Sequence, residues 1–280
     1  MNTTEMNAIE NVSRRGFLKF GIATGSFVLA ARVLPSPLWA AEKTPAWQAD
    51  LFLAISDDNT VTIVASRSEM GNGSRTSLPL VVADELDADW SKVKLDQAVG
   101  DKKYGDQNTD GSHSVRSLFD QMRLVGATAR AMLITAAAQQ WKVAASECST
   151  DPNFVVHKAS GRKLNYGQLA AAASKLPVPA KDSVTLKKRS EWRYIGKDSS
   201  LYDLPDVVTG KAIYGMDAKL PGMVYASIEH PPVLGQKIKS YDDKAALKVK
   251  GVHQTVTIDT FKPPHLFQPL DGVTIIADNT

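Results

Sequence analysis

Residues 60–86 read TVTIVASRSEMGNGSRTSLPLVVADEL. The opening residues 60–65 are rich in β-branched side chains and bounded by polar residues, which is the pattern of a strand. Residues 67–73 place Gly71 and Gly73 in a polar run that reads as a loop. From 76 to 86, Leu78, Val81, Val82 and Leu86 recur at helical spacing. The stretch is therefore a strand, a glycine loop and a helix. A glycine loop that opens a helix exposes backbone N–H groups at the positive end of the helix dipole, where an anion such as phosphate is favoured. Gly71, Asn72 and Gly73 are the first candidate ligand-binding residues.

Upstream, residues 51–56 and 60–65 flank Asp57-Asp58-Asn59, a hairpin signal. Downstream, 93–95 reads as a short strand and 100–111 as a glycine-punctuated loop. The clearest helix spans 114–141, where Val115, Leu118, Met122, Val125, Ala129, Met132 and Ala136 alternate steps of three and four. Residues 154–157 and 162–164 pair around Ser160-Gly161, and 166–176 forms an alanine-rich helix. The prolines and lysines of 177–194 read as an interdomain connection. A second unit from 195 to 280 is strand-rich, at 212–214, 223–228, 237–240, 253–258 and 272–277, with a helix at 242–247. The pattern at 272–277 is expected to leave an unpaired edge and exposed apolar side chains, so the 280 residues should be unstable alone. The overall class is α+β.

A second constellation precedes the long helix: Thr109-Asp110-Gly111-Ser112-His113-Ser114. Hydroxyls there commonly cap a helix. Three of them beside a glycine and a long helix dipole would equally hold a pyrophosphate, and the two roles are compatible. The spacing Gly71-x-Gly73 after a strand, with Asp96 ending another, also permits a nicotinamide or flavin reading. Against it, Thr76 stands where a third glycine belongs, and the unit follows a hairpin.

Composition narrows the function. With 43% hydrophobic and 22% charged residues the chain is an ordinary globular protein. Residues 1–40 carry a surplus of two positive charges, and removing it from the formal +3 leaves +1. A near-neutral body gives no basis for nucleic-acid binding. Ser13-Arg14-Arg15-Gly16-Phe17-Leu18-Lys19 begins a charged segment, an apolar run to Leu34 and a small-residue cleavage site near residue 41. The arginine pair resembles the twin-arginine export motif, which implies a periplasmic protein that is folded, commonly around a cofactor, before export. The apolar run falls short of the roughly 20 residues that span a bilayer, although retention as an uncleaved inner-membrane anchor is the other reading. Cys148 is the only cysteine, so the chain by itself can hold neither a disulfide nor an iron–sulfur cluster. The five histidines, His113, His157, His230, His253 and His265, show no metal-ligand spacing. Only His113 lies in a candidate loop, and no metal ligand is assigned.

Taken together, these motifs resemble a known family. Glu69-Met70-Gly71-Asn72-Gly73 is similar to the Glu-Met-Gly-Gln-Gly loop of the xanthine dehydrogenase/aldehyde oxidase family, and Thr109-x-x-Ser112-x-Ser114 to its Thr-x-x-Ser-x-Ser loop. The phrases Ala83-Asp84-Glu85-Leu86, Asp89-Trp90, Gly126-Ala127 and Ala129-Arg130-Ala131-Met132-Leu133 resemble the isoquinoline 1-oxidoreductase β-subunit branch. Thr209-Gly210-Lys211-Ala212-Ile213-Tyr214-Gly215-Met216-Asp217, the run from Leu220 to Ala226 and His230-Pro231-Pro232 resemble that branch's α/β hammerhead domain.

The resemblance implies a signal peptide at 1–41, a molybdopterin-binding segment at 50–176 and an incomplete hammerhead domain at 195–280. It implies molybdopterin, as the cytosine dinucleotide, with molybdenum, held by Gly71, Asn72, Gly73, Thr109, Gly111, Ser112 and Ser114. Asn72 is one methylene shorter than the family glutamine, and a bridging water could restore that contact. The implied reaction hydroxylates an aldehyde or N-heterocycle carbon with oxygen from water. Electrons would pass to a small [2Fe-2S] subunit and onward to a cytochrome c subunit. The family's catalytic glutamate is expected beyond Thr280; Glu69 is assigned a structural place. The alternatives are a non-catalytic exported binding or assembly protein and a nicotinamide or flavin oxidoreductase.

The export reading rests on the arginine pair. Arg14→Lys combined with Arg15→Lys should confine the protein to the cytoplasm, and fractionation of cells expressing that variant checks it.

Overall fold

The computed structural model describes residues 27–30, 52–259, 262, 264 and 269–279. The arginine pair, the cleavage-site residues and His265 lie outside them. Chain contacts separate Met1–Val208 from Thr209–Thr280.

In the first unit four strands lie in chain order: β1 (Phe27–Ala30), β2 (Phe52–Ile55), β3 (Val61–Ala65) and β4 (Val93–Gln97). β1 comes from the apolar run of the proposed export segment and pairs antiparallel with β2. β2 and β3 form the expected hairpin, Leu53 opposite Ile63. Asn59 makes its turn in the left-handed region, and the Thr60 amide donates to Asp58 Oδ1 at 2.9 Å. β3 and β4 are parallel, so a crossover must join them. Helix α1 (Ser74–Leu86) provides it.

Leu53, Ile55, Val61 and Ile63 are completely buried, as period-two alternation requires of a sheet with one covered face. Eleven of the thirteen residues of α1 are buried too, Asp84 and Glu85 among them. Across it packs α2 (Ser114–Trp141), matching the helix read from the sequence. The two helices come together at Gly126. A Cβ there would lie 2.4 Å from the Val82 carbonyl oxygen and 2.8 Å from Glu85 Cβ.

A second sheet holds β5 (Cys148–Asp151), β6 (Phe154–His157) and β7 (Lys163–Asn165) in that order. β6 and β7 are the expected pair, and the stretch that opens with Cys148 adds β5 as a third strand. Asn165 caps α3 (Tyr166–Ala173) by accepting from the Gln168 amide at 2.8 Å.

The 177–194 stretch is not a free connection. Asp84 Oδ2 accepts the amides of Arg193, Tyr194 and Ile195 at 3.0, 2.7 and 2.9 Å. Lys187 Nζ donates to the Asp84 carbonyl and bridges to Asp84 Oδ1 (3.3 Å) and Asp87 Oδ1 (2.5 Å). Glu85 takes Arg123 Nε at 2.7 Å and the Lys187 amide at 3.0 Å. A carboxylate out of water must be paired and hydrogen-bonded, and this stretch supplies the partners. The boundary consequently falls at Val208, beyond the expected one.

In the second unit β8 (Tyr225–Glu229), β9 (Val252–Ile258) and β10 (Gly272–Ala277) form a sheet ordered β8-β10-β9. The expectation of an unpaired edge at 272–277 is overturned, because β10 is the central strand, antiparallel to both neighbours. Gly272 permits this: a Cβ would meet Ile228 Cγ2 at 2.7 Å and the Glu229 carbonyl at 2.8 Å. The strands expected at 212–214 and 237–240 do not form, and the expected helix reduces to a 3₁₀ turn, Ala246–Lys248. The Tyr214 amide donates to Asp217 Oδ2 at 2.9 Å, a local bond that competes with strand pairing.

Gly126→Val should destabilise the first unit by about 2–3 kcal/mol, because packed helix backbones must separate. Gln139→Ala, at an exposed position on the same helix, should stay within about 0.5 kcal/mol. Urea unfolding of both variants measures the difference.

Candidate functional site

The glycine loop and the hydroxyl loop meet at one atom. The Ser68 carbonyl accepts the Ser74 hydroxyl at 3.1 Å and the Thr109 hydroxyl at 3.1 Å. The structure thus joins Gly71-Asn72-Gly73 to Thr109 across the mouth of the crossover. Gly71 and Gly73 hold left-handed backbone, φ +85° and +76°. Gly73 is also covered, since a Cβ would stand 3.2 Å from Leu201 Cδ2.

At the start of α1 the sequence expectation needs correcting. The N–H groups there are occupied by the loop's own side chains. Glu69 Oε1 accepts the Met70 and Gly73 amides at 3.1 and 2.9 Å, and Oε2 the Arg75 amide at 3.3 Å. Asn72 Oδ1 accepts the Ser74 amide at 3.2 Å. A carboxylate already neutralises this end of the dipole, so no free amides there are offered to an anion. Glu69 has the structural place assigned to it, both oxygens accepting backbone amides. Gly71 and Asn72 remain exposed.

The start of α2 differs. Its N-cap residue is His113, and no side chain caps it. Capping, the ordinary explanation for the hydroxyls, is not what Ser112 and Ser114 do. Gly111 and Ser112 both turn left-handed, φ +52° and +54°, and lie exposed, while Ser114 is buried in the first turn. His113 Nε2 is 2.6 Å from Asp110 Oδ1. Among the described residues no side chain caps the first amides of this 28-residue helix, and an anion would fit there.

Sequence reading missed Arg67. Its side chain is 2% exposed and pairs with Asp106, Nη2 to Oδ2 at 3.1 Å. Among the described residues, Nε and Nη1, together with the Ser66 hydroxyl, are buried without a hydrogen-bond partner. The available signal was phase: Val61, Ile63 and Ala65 point inward, and residue 67 continues that face. Orphaned cationic donors beside the junction of two candidate loops are what an anionic cofactor would satisfy, so the residues present fit such a group. Cys148 offers no competing chemistry; burial foremost pushes its thiol up, away from the reactive thiolate.

The family model described as molybdopterin cofactor-binding domain matches residues 2–209. The chain belongs to this family. The beta chain of isoquinoline 1-oxidoreductase from Brevundimonas diminuta is 34% identical over 291 residues, covering 88% of this chain and 37% of the relative. The membrane-bound aldehyde dehydrogenase [pyrroloquinoline-quinone] of Gluconacetobacter polyoxogenes is 31% identical over 259 residues, 89% of this chain and 33% of that protein. A nicotinate dehydrogenase component of Pseudomonas putida is 26% identical over 219 residues, 75% of this chain and 18% of that one. The chain spans about a third of the length of the first two. The molybdopterin cofactor-binding family accounts for the first unit and identifies the implied cofactor. All three relatives bear oxidoreductase names, and the chain is a member of an oxidoreductase family.

Burial would raise the Asp106 carboxyl, but the Asn108 amide and the Arg67 guanidinium outweigh it and hold it below its ordinary value. A depressed carboxylate stabilises the fold above its unfolded pKa, and that contribution is lost as pH falls through the folded value. The stability gap between wild type and Asp106→Asn should therefore hold steady from neutral pH to the ordinary carboxylate range and close below it. Urea titrations at stepped pH read this out.

Proposed function

We propose that this chain forms the cofactor-binding N-terminal portion of a molybdenum hydroxylase large subunit. The observation that carries the reading is the junction at the Ser68 carbonyl, which sets the glycine loop beside an uncapped helix start and a buried, unsatisfied arginine. Thr109, Gly111, Ser112 and Ser114 would hold the phosphate-bearing end of the group. Gly71, Asn72 and Gly73 would let the backbone approach it, the Asn72 amide nitrogen remaining for contact once Oδ1 is spent on Ser74. When bound, molybdopterin with molybdenum supplies two-electron oxidation of a substrate carbon, with water as the oxygen source.

The substrate class is an aldehyde or an N-heterocycle, in line with the names of the relatives. The general base is a glutamate from sequence outside these 280 residues, since Glu69 is committed to three backbone amides. Electrons leave to a small [2Fe-2S] subunit and onward to a cytochrome c subunit, because one buried cysteine cannot ligate a cluster. The cofactor is the cytosine dinucleotide form. The second unit is read as an α/β hammerhead domain, and the location as periplasmic, reached by the twin-arginine route, with association at the inner membrane.

The pyrroloquinoline-quinone in one relative's name gives a second reading, and cofactor analysis separates them. Protein from a host that makes molybdopterin should carry molybdenum and a cytosine nucleotide; a quinone, a flavin or an empty protein would each sink the proposal. In the complete large subunit Gly73→Val should lower molybdenum content, because valine suits neither the left-handed backbone nor the space under Leu201. Ser112→Ala with Ser114→Ala should also lower it, losing about 1 kcal/mol per hydrogen bond.

A further inference from the structure

Arg67 combines three properties that do not belong together in a purely structural residue. It is buried, it is permanently charged, and two of its donor nitrogens have no acceptor among the described residues. A guanidinium cannot escape the resulting cost by losing its proton, as a lysine or histidine could. Its backbone is fixed as well. Gln97 Nε2 donates to the Ala65 and Arg67 carbonyls at 3.1 and 3.4 Å, and the next carbonyl, Ser68, is clamped by two hydroxyls.

Its one partner has the opposite character. Asp106 is 41% exposed and lies in a loop between left-handed turns at Gly105 and at Gly111-Ser112. Among the described residues its other hydrogen bond is to the local Asn108 amide, at 2.9 Å, and His113 acts on its charge from nearby. The fixed member of the pair is thus buried and under-satisfied, and the movable member faces solvent. Carboxylate and phosphate present similar oxygen pairs to an arginine fork, but a phosphate or pyrophosphate brings more oxygens and more charge.

We propose that Arg67 anchors a phosphate or pyrophosphate oxyanion of the bound ligand, and that Asp106 is a placeholder which that oxyanion displaces. The inference rests on the reading of these loops as a cofactor site, and it adds a residue and an exchange to it. Departure of Asp106 frees Nη2, and Nε and Nη1, without a partner among the described residues, are the further donors of the same fork. Asp110 stays paired with His113, so a single carboxylate leaves. The pterin phosphate ester, the dinucleotide pyrophosphate bridge and free phosphate share this chemistry.

The test titrates the 280-residue chain with inorganic pyrophosphate, cytidine diphosphate and orthophosphate by calorimetry, with circular dichroism on every variant. Arg67→Met should weaken pyrophosphate binding at least about ten-fold, the loss of charge-assisted hydrogen bonds. Asp106→Asn should tighten it, because the competing charge is gone. Tightening is an effect that a damaged fold cannot produce, so this variant decides the matter if Arg67→Met misfolds. Cytidine diphosphate binding more tightly than pyrophosphate would place the dinucleotide bridge at Arg67; equal affinity for all three would place a simple phosphate there. Pyrophosphate affinity unchanged or weakened in Asp106→Asn overturns the exchange. Molybdenum content of protein from a cofactor-producing host distinguishes the levels. Loading of Arg67→Met equal to wild type removes Arg67 and leaves the cofactor reading standing, whereas a wild type with neither molybdenum nor anion binding removes both.

Discussion

Helices α1 and α2 approach so closely at Gly126 that one methyl group there would sit 2.4 Å from a backbone carbonyl of the other helix. That approach seals α1 between the sheet and α2 and leaves it almost no surface. Its acidic residues then cannot reach water. Asp84 and Glu85, which an amphipathic helix would turn outward, are fully buried, and each must find partners inside. Three consecutive amides, one lysine and two arginines answer that requirement. The chain after α3 is held down because two carboxylates need it. Leaving such a carboxylate without its partners would cost about 3–5 kcal/mol, a large fraction of a domain's stability.

The same crossover fixes where ligand chemistry can occur. β3 and β4 run parallel, so the connection between them opens at the carboxyl end of β3. There Ser68 collects a hydroxyl from each loop. The two helix starts that meet at this point are electrostatically unlike: α1 is closed by Glu69 and Asn72, while α2 carries no side-chain cap. A site with one neutralised and one open helix terminus can hold an elongated anionic ligand with its charge at one end only. A dinucleotide with a neutral ring system and a charged bridge has that distribution.

Much of this was legible in the sequence. The hairpin, the glycine loop and both long helices follow from alternation, glycine placement and three-four spacing, since each depends on local periodicity. What the sequence concealed depends on partners distant along the chain. The 177–194 stretch looked like a linker because its prolines and lysines are polar and irregular; Lys187 is nonetheless bound to residues a hundred positions earlier. β10 looked like an unpaired edge because it lies last in the chain, yet the sheet is not ordered by sequence and β10 sits in its middle. At the candidate site the glycines and hydroxyls could be read directly. For Glu69 the resemblance implied a structural place, but which amides it closes could not be read, because they depend on how the loop folds back on itself.

Two ways of burying charge therefore sit side by side in one unit, and the contrast separates stability from function. Asp84 has both carboxylate oxygens filled by fixed partners, so its charge is fully compensated and its removal would cost folding energy. Arg67 is equally buried, but among the described residues two of its donor nitrogens lack partners and its ion pair is with a partly exposed aspartate. Each unpaired buried donor costs about 1–3 kcal/mol, more for a charged group. An apolar side chain of similar length would pack the same space without that cost, and Ala65 and Val64 show that the strand accepts apolar neighbours. A buried cation with unmet donors, one residue before the carbonyl that joins the two loops, is the arrangement on which the proposed anion site rests.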